Sequence, residues 1–320
     1  MWGYSQNALT IALRACSATA CRVHCASLPY SYATLLGVLP HAALNSIARR
    51  LDFDAAAQVA TSRDRLRGVF GHGHLQLGLP RTGEWMEPEL VRNPFVEQVA
   101  VVLLGRCALS FCSGNTNVPG SSTQPMHADG DWPAKSEAEA AANGLQWPPT
   151  PTSLIVNYGV DDITAANGST QIWPRSHTDV RAPGNTRGGT LEDSWPDVVS
   201  NPVVPPIPNG IPFGAVSFRD PRLWHRGVPN TSQFPRHMIA LVYKQLNSPA
   251  SKAPVLVFSS GAKGAFEASP MSRSTVCKNM DFSGLSFVDG VVDHFGNPEP
   301  AEQTPVPNYR VTKELSLEKQ

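Results

Sequence analysis

The sequence predicts a mainly β protein with flanking helices, the helices packed against a β-sandwich or jelly roll. Three observations predict it. Segments with helical spacing come first, and short strand-like runs follow after Gly105. Pro and Gly are abundant, at 29 and 25 of 320 residues, which favours short elements and many turns. Hydrophobic residues make up 41% of the chain, enough for a substantial core.

The elements run as follows. YATLLGVLP (Tyr32–Pro40) is short, apolar and bounded by Gly and Pro, as a strand should be. HAALNSIARRLDFDAAAQVA places Leu44, Ile47 and Leu51 at helical spacing. EPELVRNPFVEQVAVVLLG reads as a helix pair broken near Pro94, with Phe95, Val96, Val99 and Leu103 on one buried face. ALSFCSGNTNV, SLIVNYGV, STQIWP, GAVSFRD and RHMIALVYKQ then read as strands, with Met238 to Val242 apolar throughout and expected to be buried. Residues 181–212 form an irregular insert rich in Pro and Gly, of the kind used as a lid or binding loop. These features divide the chain into a leader over residues 1–30, a domain over 31–292 and a peripheral polar tail over 293–320.

Charge excludes some functions. Lys+Arg and Asp+Glu are equal at 26 each, and no basic stripe supports a nucleic-acid partner. No run approaches the ~18 apolar residues of a membrane span. The six cysteines form no C-x-x-C pair and read as thiols in a reducing compartment. That makes the cytoplasm the default location. From Met1 to Leu51 the chain lacks Asp and Glu but holds Arg14, Arg22, Arg49 and Arg50, which also fits an organelle transit peptide. The sequence sets no oligomeric state.

The chemistry centres on QPMHADGDW (Gln124–Trp132). In a strand, residues i and i+2 share a face, so His127 and Asp129 can aim an imidazole and a carboxylate at one point. Read alone, His-x-Asp is far more often an ordinary turn. A second His would complete a facial His-carboxylate-His set for non-haem Fe(II). Of the other histidines, His72 and His74 sit in a Gly-rich GHGH stretch that reads as a flexible loop, His177 follows a Pro turn, and His237 suits a satisfied core residue. His225, closing the run RDPRLWH, is the best third ligand. A turn from Pro229 to Pro235 then suggests a hairpin laying Arg236 beside His225 on a neighbouring strand. A charge entering the buried strand at Met238 needs a partner, and a guanidinium suits a carboxylate that chelates the metal at its other end.

QPMHADGDW, VDDITAANGSTQIWPRSH (Val160–His177) and WHRGVPNTSQFPRHM (Trp224–Met238) resemble the phytanoyl-CoA dioxygenase family of Fe(II)/2-oxoglutarate oxygenases, over roughly Tyr32 to Lys244. The family's PGSH stands here as PRSH, with Arg175 in place of glycine. The resemblance implies a double-stranded β-helix (jelly roll, cupin-like) acting on a small-molecule substrate with Fe(II), 2-oxoglutarate and O2. It implies His127, Asp129 and His225 as metal ligands and Arg236 as the cosubstrate's carboxylate anchor. Thr170, Gln124, Ser232 and Asn115 are candidates for further cosubstrate contacts, and Trp132, Trp173 and Trp224 for the pocket wall or the core. Hydroxylation of a substrate carbon, with release of succinate and CO2, is the implied reaction. Relatives that halogenate carry Ala or Gly at the position of Asp129. A ligand-binding jelly roll without activity and a metal-dependent hydrolase are the alternatives. For an acyl-CoA the only local basic cluster is Arg63, Arg65 and Arg67, partly offset by Asp64.

Overall fold

Alternation along one strand organises the molecule. In a strand, successive side chains point to opposite faces. In β10 (Arg236–Gln245) the odd-numbered Ile239, Leu241 and Tyr243 are buried in the main core, while Arg236, Met238, Ala240, Val242 and Lys244 line a cavity. Val242 is therefore only half-buried, unlike its neighbours in the apolar run.

The computed structural model describes residues 23–24, 32–61, 73–78, 90, 92–130, 132–182, 190–246, 257–259, 264, 276–278, 291–292 and 298–299. Most of the predicted leader and tail, His72 and Arg63, Arg65 and Arg67 lie outside them. A seven-stranded antiparallel sheet contains β1 (Val23–His24), β2 (Tyr32–Leu35), β3 (His74–Gly78), β4 (Cys107–Asn117), β5 (Ser153–Gly159), β8 (Val216–Arg219) and β10. Its order is β1-β2-β8-β5-β10-β4-β3. A smaller sheet of β6 (Gln171–Ile172), β7 (Ile207–Pro208) and β9 (His225–Arg226) has the order β7-β6-β9 and is extended by a bridge from His127 to His225. Residues of both sheets line the cavity, the arrangement of a jelly roll.

Two helices cover the outer face of the large sheet. Helix α1 (His41–Thr61) buries Leu44, Ile47, Leu51 and Ala55, the stripe its spacing predicts. Helix α2 (Pro94–Leu104) differs from the predicted helix pair. Leu90 and Arg92 lie in a turn, Asn93 caps the helix by accepting from the amides of Phe95 and Val96, and Pro94 opens it. Proline lacks the N–H that a first-turn position leaves unused, so it starts a helix here and does not break one. Its buried face is Val96, Val99, Ala100 and Leu104, with Phe95 and Leu103 at its edges. Fully burying each such aliphatic side chain contributes about 1.5–3 kcal/mol.

His237 illustrates the opposite parity to Arg236. It is fully buried on the helix side, with Nε2 2.8 Å from Asp52 Oδ1 of α1 and Nδ1 2.7 Å from Thr116 Oγ1 of β4. This is the satisfied core histidine expected, and it ties α1 to the sheet.

The described part of the insert is not disposed as a lid. Short helices α4 (Leu191–Ser194) and α5 (Pro196–Ser200) follow the small α3 (Glu137–Ala142) in the chain. Leu191, Trp195, Val198 and Val199 pack with Met126, Ala128, Trp173 and Trp224. Those are the residues whose parity points away from His127, Asp129 and His225, so this segment covers the back of the small sheet. It is pinned there by Leu191 N–H to Met126 O (3.2 Å) and by the Glu192 carboxylate, which accepts from Met126 N–H at 3.1 Å. Trp173 and Trp224 accordingly belong to the core.

Candidate active site

The metal-ligand cluster begins with two backbone hydrogen bonds. His127 N–H donates to His225 O at 3.0 Å, and His225 N–H donates back to His127 O at 2.9 Å. This hydrogen-bonded antiparallel pair places both imidazoles on one side of the small sheet, with ring centroids 4.3 Å apart. Asp129, two residues on, shares that side. Its backbone N–H and that of Gly130 both donate to Pro221 O at 2.9 Å. Gly130 is required by that close approach, because a Cβ there would lie 2.8 Å from Pro221 Cβ.

Hydrogen bonds fix the imidazole tautomers. His127 Nδ1 is 2.9 Å from Pro125 O and His225 Nδ1 is 2.9 Å from Leu223 O. A carbonyl only accepts, so each Nδ1 carries the proton and each Nε2 presents a lone pair. Both Nε2 atoms face Asp129, at 3.7 Å from Oδ1 for His127 and 3.2 Å from Oδ2 for His225. The three ligand atoms lie within 4.8 Å of one another. Two imidazole nitrogens and one carboxylate oxygen are the donor set of a facial Fe(II) site, and these residues fit it.

Arg219 is the neighbour that the sequence reading missed. Its Nη2 donates to Asp129 Oδ2 at 2.7 Å, and its Nε donates to Asn157 Oδ1 at 3.4 Å. Burial alone would raise the Asp129 carboxyl, but the His225 imidazole and the Arg219 guanidinium beside it hold it well below the usual range. Burial, helped by Arg219, pushes the His225 imidazole down to about 4, which keeps it neutral and ready to ligate. The signal was present in GAVSFRD. An arginine ending a buried strand needs a partner, the same reasoning that singled out Arg236.

Arg236 does not sit beside His225 in a hairpin. β9 belongs to the small sheet and β10 to the large one, so the two residues line one cavity from different sheets. The connecting turn crosses between sheets because Asn230, fully buried, donates to Asn117 O and Phe234 O at 2.8 Å. Arg236 is 4% exposed; its Nη2 donates to Gly168 O at 2.8 Å, and its Nε has no partner among the described residues. Burial lowers its pKa to about 10, opposed by Asp161. An unsatisfied, buried guanidinium N–H is costly to the empty protein and suits an anionic ligand.

The structure brings Thr170, Asn115 and Gln124 to the same cavity. Asn115 Oδ1 is buried there without a partner among the described residues, whereas Gln124 Oε1 already accepts from Gly227 N–H at 2.9 Å. Ser232 is not brought in. Its hydroxyl donates to Asn230 Oδ1 at 2.7 Å and stabilises the crossing turn. His74, expected in a loop, opens edge strand β3, lines the cavity and lies 2.7 Å from Ser122 O through Nε2. Its pairing with Asn117 across the strands could not be seen in the Gly-rich GHGH.

The cavity has a volume of about 660 Å³, large enough for a cosubstrate and a drug-sized molecule together. Trp132 walls it, packed edge-on against Trp147 at 5.3 Å. Arg222 lies over the Trp132 ring, is held by Asp220 through Nε (2.9 Å) and Nη2 (2.7 Å), and donates through Nη1 to Pro149 O. It staples the rim to the strand turn.

Among the described residues, no helix is long and apolar enough to cross a membrane. Several solved structures are similar in shape. AviO1 from Streptomyces viridochromogenes Tue57 is 19% identical, over 71% of this chain and 94% of that one, at a TM-score of 0.46. The epimerase SnoN in complex with Fe3+, alpha ketoglutarate and nogalamycin RO is 15% identical over 87% and 92%, at 0.44. EctD from S. alaskensis with 2-oxoglutarate and 5-hydroxyectoine is 16% identical over 71% and 77%, at 0.49. The family model for phytanoyl-CoA dioxygenase matches residues 39–238, well over half of the sequence. The chain belongs to the phytanoyl-CoA dioxygenase family and is an enzyme of the Fe(II)/2-oxoglutarate oxygenase type.

Proposed function

We propose that the protein is a dioxygenase that hydroxylates a carbon of a small organic metabolite, using Fe(II), 2-oxoglutarate and O2 and releasing succinate and CO2. One observation carries the reading: the His127, Asp129 and His225 cluster opens into the cavity that also holds the unpartnered Arg236 Nε. Bound Fe(II) would supply the redox chemistry, in which 2-oxoglutarate is oxidatively decarboxylated and one oxygen atom passes to the substrate.

The residues supply binding, orientation and dryness. His127 and His225 offer Nε2, and Asp129 offers a carboxylate oxygen while Arg219 holds the other. Arg236 anchors the distal carboxylate of 2-oxoglutarate, with Thr170 and Asn115 beside it. Met238, Ala240 and Ile155 form an apolar floor that limits water near the reacting carbon. Asp129 fills the position that a halide would need, which favours oxygenation over halogenation.

The test is a screen of metabolites with Fe(II), 2-oxoglutarate and O2, reading succinate and product mass together. A hit gives one succinate per product gaining one oxygen atom. Activity that persists without 2-oxoglutarate points to hydrolysis and rejects the proposal.

A further inference from the structure

Four cationic side chains line the cavity, and the only acid among the described lining residues is Asp129. Three of the cations have work assigned. Arg219 pairs with Asp129, Arg222 is held by Asp220, and Arg236 awaits the cosubstrate. Lys244 is the fourth. It is half-buried, and its ammonium has no ion-pair or hydrogen-bond partner among the described residues.

Its position is set by strand geometry. Arg236 and Lys244 are the two ends of the cavity face of β10, separated by eight residues, or about 26 Å at ~3.3 Å per residue. Between them lie only Met238, Ala240 and Val242. The ligand cluster is linked to the middle of this face: Arg219 joins Asp129 to Asn157, and Asn157 pairs with Ala240. From Ala240 to Lys244 is about 13 Å of strand. Burial also pulls the Lys244 pKa below its ordinary value, the cost of a half-buried ammonium without a partner.

We propose that the substrate is an elongated apolar molecule carrying one carboxylate, and that Lys244 pairs with that carboxylate at the cavity end opposite Arg236. This rests on the oxygenase reading above and adds the substrate class. A single ammonium matches a singly charged carboxylate. A phosphate favours the fork of an arginine, and of the cavity's arginines Arg219 and Arg222 are already engaged by Asp129 and Asp220. The body of the molecule lies along Val242, Phe111 and Ile155, bringing a carbon about 10–13 Å from the carboxylate under the ligand cluster.

The experiment uses metal-free protein, so it can fail while the Fe(II)/2-oxoglutarate chemistry stands, and the reverse. Decanoate, decanol, decylamine and decyl phosphate are titrated by calorimetry into wild type, Lys244→Met and Lys244→Arg. Decanoate binds wild type about fivefold to tenfold more tightly than decanol, and decylamine binds most weakly. Lys244→Met, which keeps the length of the stem, reduces decanoate to the decanol level and leaves decanol unchanged. Lys244→Arg retains the preference. Decanoate binding that is absent, no tighter than decanol, or unaffected by Lys244→Met overturns the proposal, as does tighter binding of decyl phosphate.

Discussion

Arg219 and Asp129 form a 2.7 Å ion pair that joins strand β8 of the large sheet to the metal-ligand segment, and this contact orients the carboxylate of the ligand cluster. The guanidinium donates to Oδ2, the oxygen that His225 Nε2 also approaches at 3.2 Å, and Oδ1 is left to face His127. Removing such an outer partner commonly costs 10–100-fold in metal affinity or activity. Arg219→Leu is expected to lose about that much in Fe(II) affinity, measured by anaerobic titration, with Arg219→Lys losing less because it keeps the charge without the fork. Unchanged affinity in Arg219→Leu would show that the carboxylate needs no support.

Arg236 tests the cosubstrate end. Its Nε lacks a partner among the described residues, so the ligand gains a charge-assisted hydrogen bond without displacing another. Arg236→Met should weaken 2-oxoglutarate binding by about 2–4 kcal/mol, or roughly 30-fold to 1000-fold. The measurement is 2-oxoglutarate titration of the Fe(II)-loaded protein, and Fe(II) affinity itself should move little.

His237 belongs to the fold, although it is adjacent to Arg236. Its contact to Thr116 is buried and that to Asp52 part-buried, and truncation removes both hydrogen bonds. His237→Ala should cost about 2–4 kcal/mol of stability by chemical denaturation. The Fe(II) site of the folded fraction should be intact.

Arg175 carries a backbone φ of 68°, the left-handed region, and is the only non-glycine residue described there. The family's glycine at this place follows from that conformation, which costs a side-chain-bearing residue about 1–2 kcal/mol. Glycine regains freedom in the unfolded chain, which offsets part of the gain. Arg175→Gly is therefore expected to stabilise the protein by about 0.5–1 kcal/mol, seen as a higher denaturation midpoint.

His177 gives a pH dependence. Burial pushes its imidazole down to about 4, with Asp220 opposing and Arg222 and Arg175 reinforcing. Its folded pKa lies below the unfolded value near 6.5, so the unfolded state binds the extra proton between them. Stability that is complete above pH 6.5 is lost as pH falls towards 4, by up to about 3 kcal/mol. His177→Gln should flatten that part of the profile in urea denaturation at pH 7 and pH 4.5.

Much of this could be read from the chain because its strands alternate. RHMIALVYKQ gave both its bounds and its buried character, and the i, i+2 rule put His127 and Asp129 on one side. What stayed hidden depended on non-local pairing. Arg236 and His225 are close in sequence yet belong to two sheets, because the buried amide of Asn230 turns the connection from one to the other. His74 gained its place only by pairing with β4. The insert reads as a lid or binding loop because it lacks periodicity, while the place of its described part from Leu191 to Val199 is set by Met126 and Trp224, whose outward faces need cover. The family resemblance made Ser232 a candidate cosubstrate contact, but its hydroxyl donates to Asn230 in the crossing turn.

The central claim is that His127, Asp129, His225 and Arg236 together hold Fe(II) and 2-oxoglutarate. The most direct measurement is the anaerobic absorption spectrum on adding Fe(II) and then 2-oxoglutarate. A weak visible metal-to-ligand charge-transfer band should appear with wild type only when both are present, and should be lost in His225→Ala. No band in the wild type, or a band that survives His225→Ala unchanged, would contradict the account.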